Sequence, residues 1–158
     1  MGHLGFSYIG FVYLLLLFIP NIIWAIDKNK INPSSLFTEN RVLLLLERSG
    51  QILTTVIVLV FNDFNPTKVT PRLAWLVVSF IALALYEVSW VRYFKGNRSV
   101  NSLYCSFLRI PIPLASLPVI AFLLLGIYGK VIWLVVSVFA LGIGHIGIHL
   151  QHRLRLES

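Results

Sequence analysis

The chain has 158 residues, 58% of them hydrophobic and 12% charged, with a mean hydropathy of +0.85; a soluble domain of this size needs far more polar surface, so the composition puts it in a lipid bilayer. The net charge of +7 does not mark a nucleic-acid binder, because the basic residues are scattered between apolar runs, as anionic headgroups and the positive-inside rule explain. The lone Cys105 excludes an internal disulfide and a cysteine-built zinc site.

A span needs about 20 residues, and the apolar runs predict an all-α polytopic membrane protein of one domain with five transmembrane helices. The first covers 5–26. The N-terminus lacks the basic flank and cleavage site of a signal peptide, and Phe6 stands where a myristoylation pattern needs Ser or Thr, so this run is expected to stay as a span. Pro20 predicts a kink, and the Asn21 amide beside it needs a partner. A polar loop follows, with Thr38 or Asn40 as candidate caps for the second span, 41–61, which carries Glu47 and Arg48. The tight turn Asn62-Asp-Phe-Asn-Pro leads to the third span, 72–94, apolar until Glu87. Residues 95–109 read as a loop and a short interfacial helix, with Leu103, Tyr104 and Phe107 towards lipid and Arg98 and Arg109 at headgroup level. The fourth span, 111–128, starts among Pro111, Pro113 and Pro118, which predicts an irregular beginning. Gly129-Lys130 turns the chain into the fifth, 131–151.

On this topology Lys28, Lys30, Arg41, Arg92, Lys95, Arg98, Arg109, Arg153 and Arg155 share one side. Lys68, Arg72 and Lys130 share the other, and Arg48 lies inside a span. The bias predicts the N-terminus outside and the C-terminus in the cytosol.

The last span gathers three of the four histidines. At 100° per residue, His145, His149 and His152 fall within an arc of roughly 60°. Ionisable groups inside a membrane helix point to a functional site. Asn21, Glu47, Glu87 and His145 each lie about five or six residues from the cytosolic end of their spans, a similar depth, with His149 one turn nearer the surface. The expected site is therefore a cytosol-facing polar pocket lined by Asn21, Glu47, Arg48, Glu87, His145 and His149, beneath an apolar outer half. The alternative is a structural cluster in which Arg48 pairs with Glu87. His145 and His149, at i and i+4, could share a divalent metal with Glu47 and Glu87, but the His-Glu-x-x-His and Glu-x-x-His patterns are missing. His152, beside Arg153 and Arg155, is expected to be interfacial and solvated.

Gly142-Ile-Gly-His-Ile-Gly147 matches a dinucleotide-binding pattern, but no strand precedes it. In a membrane helix Gly142, Gly144 and Gly147 suit close helix approach, including a homo-oligomer contact. Asn97-Arg-Ser99 matches a glycosylation sequon on the side predicted to be cytosolic.

Three stretches, Phe18-Ile-Pro-Asn-Ile-Ile-Trp-Ala25, Tyr86-Glu-Val-Ser-Trp-Val-Arg-Tyr-Phe94 and Gly142-Ile-Gly-His-Ile-Gly-Ile-His-Leu-Gln-His152, resemble an uncharacterised family of small bacterial multispanning membrane proteins. The resemblance spans most of the chain and implies a protein of the bacterial cytoplasmic membrane, without an activity or residue roles. Three functions fit these observations. One is a transporter-like or binding protein for a small solute or ion. Another is a membrane enzyme acting on a lipid or prenyl-type substrate. The last is an accessory subunit whose polar cluster only fixes helix packing.

Overall fold

The computed structural model describes residues 2–27 and 38–157. Among the described residues six helices follow one another: α1 (Tyr8–Ile26), α2 (Arg41–Val60), α3 (Leu73–Lys95), α4 (Val100–Tyr104), α5 (Pro113–Gly129) and α6 (Ile132–Glu157), with a 3-10 turn at Asn62–Phe64 between α2 and α3. No strand occurs among the described residues, apart from isolated bridges at Leu4–Phe61 and Phe107–Ile110. Among the described residues four helices are long and apolar enough to cross a membrane, and α5 is a shorter apolar one. The protein is an all-α polytopic membrane protein. The expected polar loop, with Lys28 and Lys30, falls on residues 28–37, outside the described residues.

Local chemistry sets the helix ends. The Ser7 hydroxyl accepts from the Gly10 N–H at 2.8 Å, and the Asn40 side chain accepts from the Val42 N–H at 2.9 Å, so each cap satisfies an orphan donor. Asn40, rather than Thr38, is the cap of α2. Pro113 opens α5, where its missing N–H costs nothing. The predicted irregular start of this span shrinks to the left-handed Ile112 before a regular helix. Its span begins two residues later than expected, whereas α6 runs six residues past 151, to Glu157.

The helices alternate in direction. The N-terminus, the 3-10 turn and the α5–α6 turn meet at one end, where Phe64 packs on Gly129. Asp27, Asn40, Lys95, α4, Ile112 and the end of α6 meet at the other, called the C-terminal end here. At the first end the Gly5 and Ser7 amides donate to Val60 and Leu59, and His3 binds Asp63 through both its backbone and its ring. Burial alone would raise the Asp63 carboxyl, but the His3 hydrogen bonds and charge outweigh it, so Asp63 sits below its ordinary value.

The most extensive contacts join α2 to α6, α3 to α5 and α5 to α6. These make a curved four-helix wall in the order α2, α6, α5, α3. Helix α1 closes the ring with lighter contacts to α2 and α3. It meets α2 closely where Gly10 lies on the Val58 carbonyl. Elsewhere it leans on α3: Tyr13 donates to Ser79 at 2.8 Å, Asn21 to Tyr86 at 2.6 Å, and Arg98 beyond α3 pairs with Asp27 at 2.9 Å. Ser79 in turn donates to the Ala121 carbonyl, and Thr54 on α2 donates to Ser137 on α6 at 3.1 Å. With no water in the hydrocarbon, such pairs satisfy each hydroxyl inside the bundle. The opposite helix faces carry exposed Phe11, Ile19, Val56, Val77, Trp133 and Phe139, an apolar belt suited to lipid.

The α2–α6 contact depends on two glycines. A Cβ on Gly144 would overlap the Glu47 backbone nitrogen, and one on Gly50 would overlap Leu141 backbone. Gly147 instead faces the flexible Leu43 side chain at 3.1 Å, and Gly142 faces Val119 at 3.0 Å. Gly144 is therefore used within the chain, whereas Gly142 and Gly147 also border an outward apolar groove between α5 and α6. Gly144→Ala should lower stability by about 1–3 kcal/mol, as overpacking against rigid backbone does. Gly147→Ala should cost much less. Thermal unfolding of the two variants in detergent checks this; equal losses would mean that α2 and α6 are not held at this distance.

Candidate functional site

Two adjoining cavities lie between α1 and the wall. The deeper one has a volume of about 210 Å³ and is lined mainly by apolar groups, among them Leu14, Leu17 and Phe18 of α1, Thr54 and Thr55 of α2, Pro118 and Phe122 of α5, and Leu141 of α6. The second, about 350 Å³, lies towards the C-terminal end and is much more polar. Its walls include Trp24, Glu39, Glu47, Arg48, Trp90, Tyr104, His149 and His152. Asn21, Gln51, Leu114 and His145 border both. A polar vestibule thus adjoins an apolar chamber, and His145 stands at the junction.

Beyond the chamber, towards the N-terminal end, the bundle is filled. Tyr13, Val58, Phe64, Phe122, Leu125 and Leu134 are fully buried. The Tyr13 ring meets Phe80 and Phe122 edge-on, with centroids 4.9 and 5.7 Å away.

The junction is built by the α2–α6 approach. His145 follows Gly144, so its backbone is held against α2, and its Nδ1 lies 2.5 Å from the Glu47 Oε1. The two side chains are only 21% and 17% exposed, which makes this a mostly desolvated pair. A carboxylate on Nδ1 keeps the ring proton there and leaves Nε2 as a proton acceptor. One turn along α6 the His149 ring centroid lies 4.5 Å from that of His145. The His149 Nδ1 is buried and has no hydrogen-bond partner among the described residues. At the mouth, the Tyr104 hydroxyl and His152 Nδ1 are 2.9 Å apart, and His152 Nε2 is 3.6 Å from Glu39.

Of the six pocket residues expected from the sequence, the structure brings five together. Asn21 reaches the Leu17 carbonyl at 2.7 Å as well as the Tyr86 hydroxyl, so the partner its amide needs is found beside Pro20. Glu47, His145 and His149 line the vestibule, and Arg48 lies on its exposed rim. Glu87 is the exception. It borders neither cavity, and its half-buried carboxylate has an oxygen without a hydrogen-bond partner among the described residues. One helical position from Tyr86, it is turned off the face that Tyr86 and Trp90 present to the cavities. The expected Arg48–Glu87 pair is likewise not formed, because α2 and α3 are not packed neighbours.

The metal set of His145, His149, Glu47 and Glu87 does not assemble either. No group of three or more His, Cys, Asp or Glu side chains suited to a metal occurs among the described residues. Two further expectations change. Leu103 and Tyr104 are buried and line the vestibule instead of facing lipid, because the Tyr104 hydroxyl is drawn to His152. His152 is 4% exposed rather than solvated. Tyr86, Trp90, Gln51 and Glu39 also line the site, although the sequence reading did not single them out as pocket residues. The i, i+4 spacing of Tyr86 and Trp90 was the available signal.

Comparison with protein-family models, with curated proteins and with solved structures finds no match to this chain.

The Glu47–His145 contact should be energetically coupled. In a double-mutant cycle, Glu47→Gln, His145→Gln and the double variant should give a coupling of about 1–3 kcal/mol in unfolding measurements, the range for contacting polar groups. Additive losses would show that the two side chains do not act as a pair.

Proposed function

We propose that the protein binds an amphipathic molecule of lipid or prenyl type, entering from the leaflet at the C-terminal end. Its polar end sits in the vestibule against His145 and its hydrocarbon in the apolar chamber. The observation that carries this reading is the junction itself: a carboxylate-backed imidazole stands where a polar cavity meets an apolar one. Ligand sites are commonly apolar clefts with few, well-placed polar groups, and this one has that composition. The His145 Nε2 suits a hydroxyl or similarly weak acid at the ligand's polar end. It would accept that proton while Glu47 steadies the resulting imidazolium. This favours the binding and enzyme readings over a transporter, whose path would have to continue through the filled layer around Tyr13, Val58 and Phe122.

The vestibule is read as facing the cytosol of a bacterial cell. Among the described residues Arg41, Arg92, Lys95, Arg98, Arg109, Arg153 and Arg155 gather at its end, against Lys68, Arg72 and Lys130 at the other, a distribution that supports a cytosolic C-terminus. The sequence resemblance supports a bacterial cytoplasmic membrane.

Retention of tritiated dodecanol by the detergent-purified protein tests the proposal. Wild type should hold about one molecule per chain, the number that one chamber admits. Leu17→Trp, which fills the chamber, should abolish retention. His145→Phe should weaken it by about tenfold, the worth of one hydrogen bond to the polar end. Equal retention by wild type and Leu17→Trp would put the hydrocarbon elsewhere and overturn the reading.

A further inference from the structure

The side chains along the vestibule wall form a continuous series that the binding reading does not require. It begins at Glu39, just before α2, where the carboxylate lies 3.6 Å from His152 Nε2. The other nitrogen of that ring is 2.9 Å from the Tyr104 hydroxyl. The Tyr104 ring lies beside His149, centroid to centroid 5.5 Å, and His149 beside His145 at 4.5 Å. His145 closes the series on Glu47. Every member can both give and take a proton. One of them, His149, keeps a buried ring nitrogen with no hydrogen-bond partner among the described residues.

We propose that this series is a proton relay joining solution at the mouth of the vestibule to the Glu47–His145 pair at its floor. The inference rests on the proposed site, because the relay matters once a ligand's polar end fills the vestibule and displaces its water. A proton taken up at Glu39 enters His152 at Nε2 as His152 gives one up at Nδ1 to Tyr104. The Tyr104 hydroxyl passes its own proton to His149, and His149 passes one to His145. Each intermediate gains one proton and loses one, and each ring regains its starting tautomer by exchanging a proton with solution once the ligand has left. The net change is one proton taken from solution and one delivered to His145; run backwards, the series drains a proton that His145 has taken from a ligand. The two ring-to-ring steps need a ring rotation or one bridging water each, and the vestibule has room for such a water. The charged and titratable groups around the series are Glu39, Glu47 and Arg48 from the α2 side, Tyr104 from α4 and Arg155 from α6. The α1, α3 and α5 walls contribute Asn21, Trp24, Trp90 and Leu114, none of which carries charge.

The test is the exchange of the His145 ring proton with water. It is followed by nuclear magnetic resonance on protein labelled with nitrogen-15 histidine in lipid nanodiscs, with dodecanol present. Tyr104→Phe keeps the ring and removes the hydroxyl, and His149→Phe keeps an aromatic ring and removes the imidazole. Each should slow exchange by about tenfold or more, the factor that one lost hydrogen bond represents. Lys95→Gln, exposed at the same end of the bundle but lining neither cavity, should leave it unchanged. Far-ultraviolet circular dichroism and gel filtration establish that each variant is folded. Unchanged exchange in folded Tyr104→Phe and His149→Phe would mean that water reaches His145 directly, and would overturn the relay. Equal slowing in Lys95→Gln would attribute the effect to general disturbance of this end of the bundle and overturn it too. The dodecanol measurement is separate, so slowed exchange without retention would keep the relay and remove the ligand reading, and the reverse result would do the opposite.

Discussion

The close approach of α2 and α6 is the constraint on which the rest of the structure depends. The two backbones can meet at this distance only where one of them lacks a side chain at the contact, and Gly144 opposite Glu47 and Gly50 opposite Leu141 supply those positions. Gly144 directly precedes His145 and packs on the backbone of Glu47. The same contact therefore builds the helix pair and aligns the carboxylate with the imidazole. An ionisable side chain at membrane depth is costly unless it is paired or wetted. Here Glu47 and His145 pair with each other at the border of a polar cavity.

That arrangement divides the bundle into two halves of different character. Towards the N-terminal end, aromatic and branched apolar side chains fill the space between the helices, and hydroxyls such as Tyr13, Ser79, Thr54 and Ser137 are satisfied by one another or by backbone. Towards the C-terminal end the helices separate around polar groups, and the short α4 closes the mouth through Leu103 and Tyr104. Four non-glycine residues with positive φ, Arg98, Leu108, Arg109 and Ile112, flank α4. Such conformations persist only where surrounding contacts enforce them. The contacts there include Arg98 on Asp27, Arg153 on Ser106 and Tyr104 on His152.

Much of this was legible in the sequence, for identifiable reasons. Long apolar runs separated by polar turns determine spanning helices almost regardless of context, so all five apolar helices were expected, four of them within three residues of where they lie and α6 ending six residues early. Depth along a helix also follows from counting, which is why Asn21, Glu47, His145 and His149 were expected to share a site. Rotation about each helix axis does not follow from counting. Glu87 has the right depth but the wrong face, and Tyr86 beside it reaches the cavity instead. Leu103 and Tyr104 show a related limit: an amphipathic segment at an interface can turn its apolar side to lipid or to the bundle, and here a single hydroxyl–imidazole contact selects the bundle. The small residues of α6 looked equivalent in sequence, yet Gly144 packs on a backbone and Gly147 on a flexible leucine.

The central claim is a polar cavity open at one end of the bundle and sealed at the other. Cysteine accessibility tests it most directly, because the exposed Cys105 is the only cysteine to remove. In a Cys105→Ser background, Gln51→Cys on the cavity border and Val58→Cys in the filled half are treated with a charged, membrane-impermeant thiol reagent applied to one face of the membrane at a time. Labelling of Gln51→Cys from the face that carries α4 alone, with Val58→Cys protected from both, is the expected result. Labelling of Gln51→Cys from the opposite face, or of Val58→Cys from either, would contradict the account.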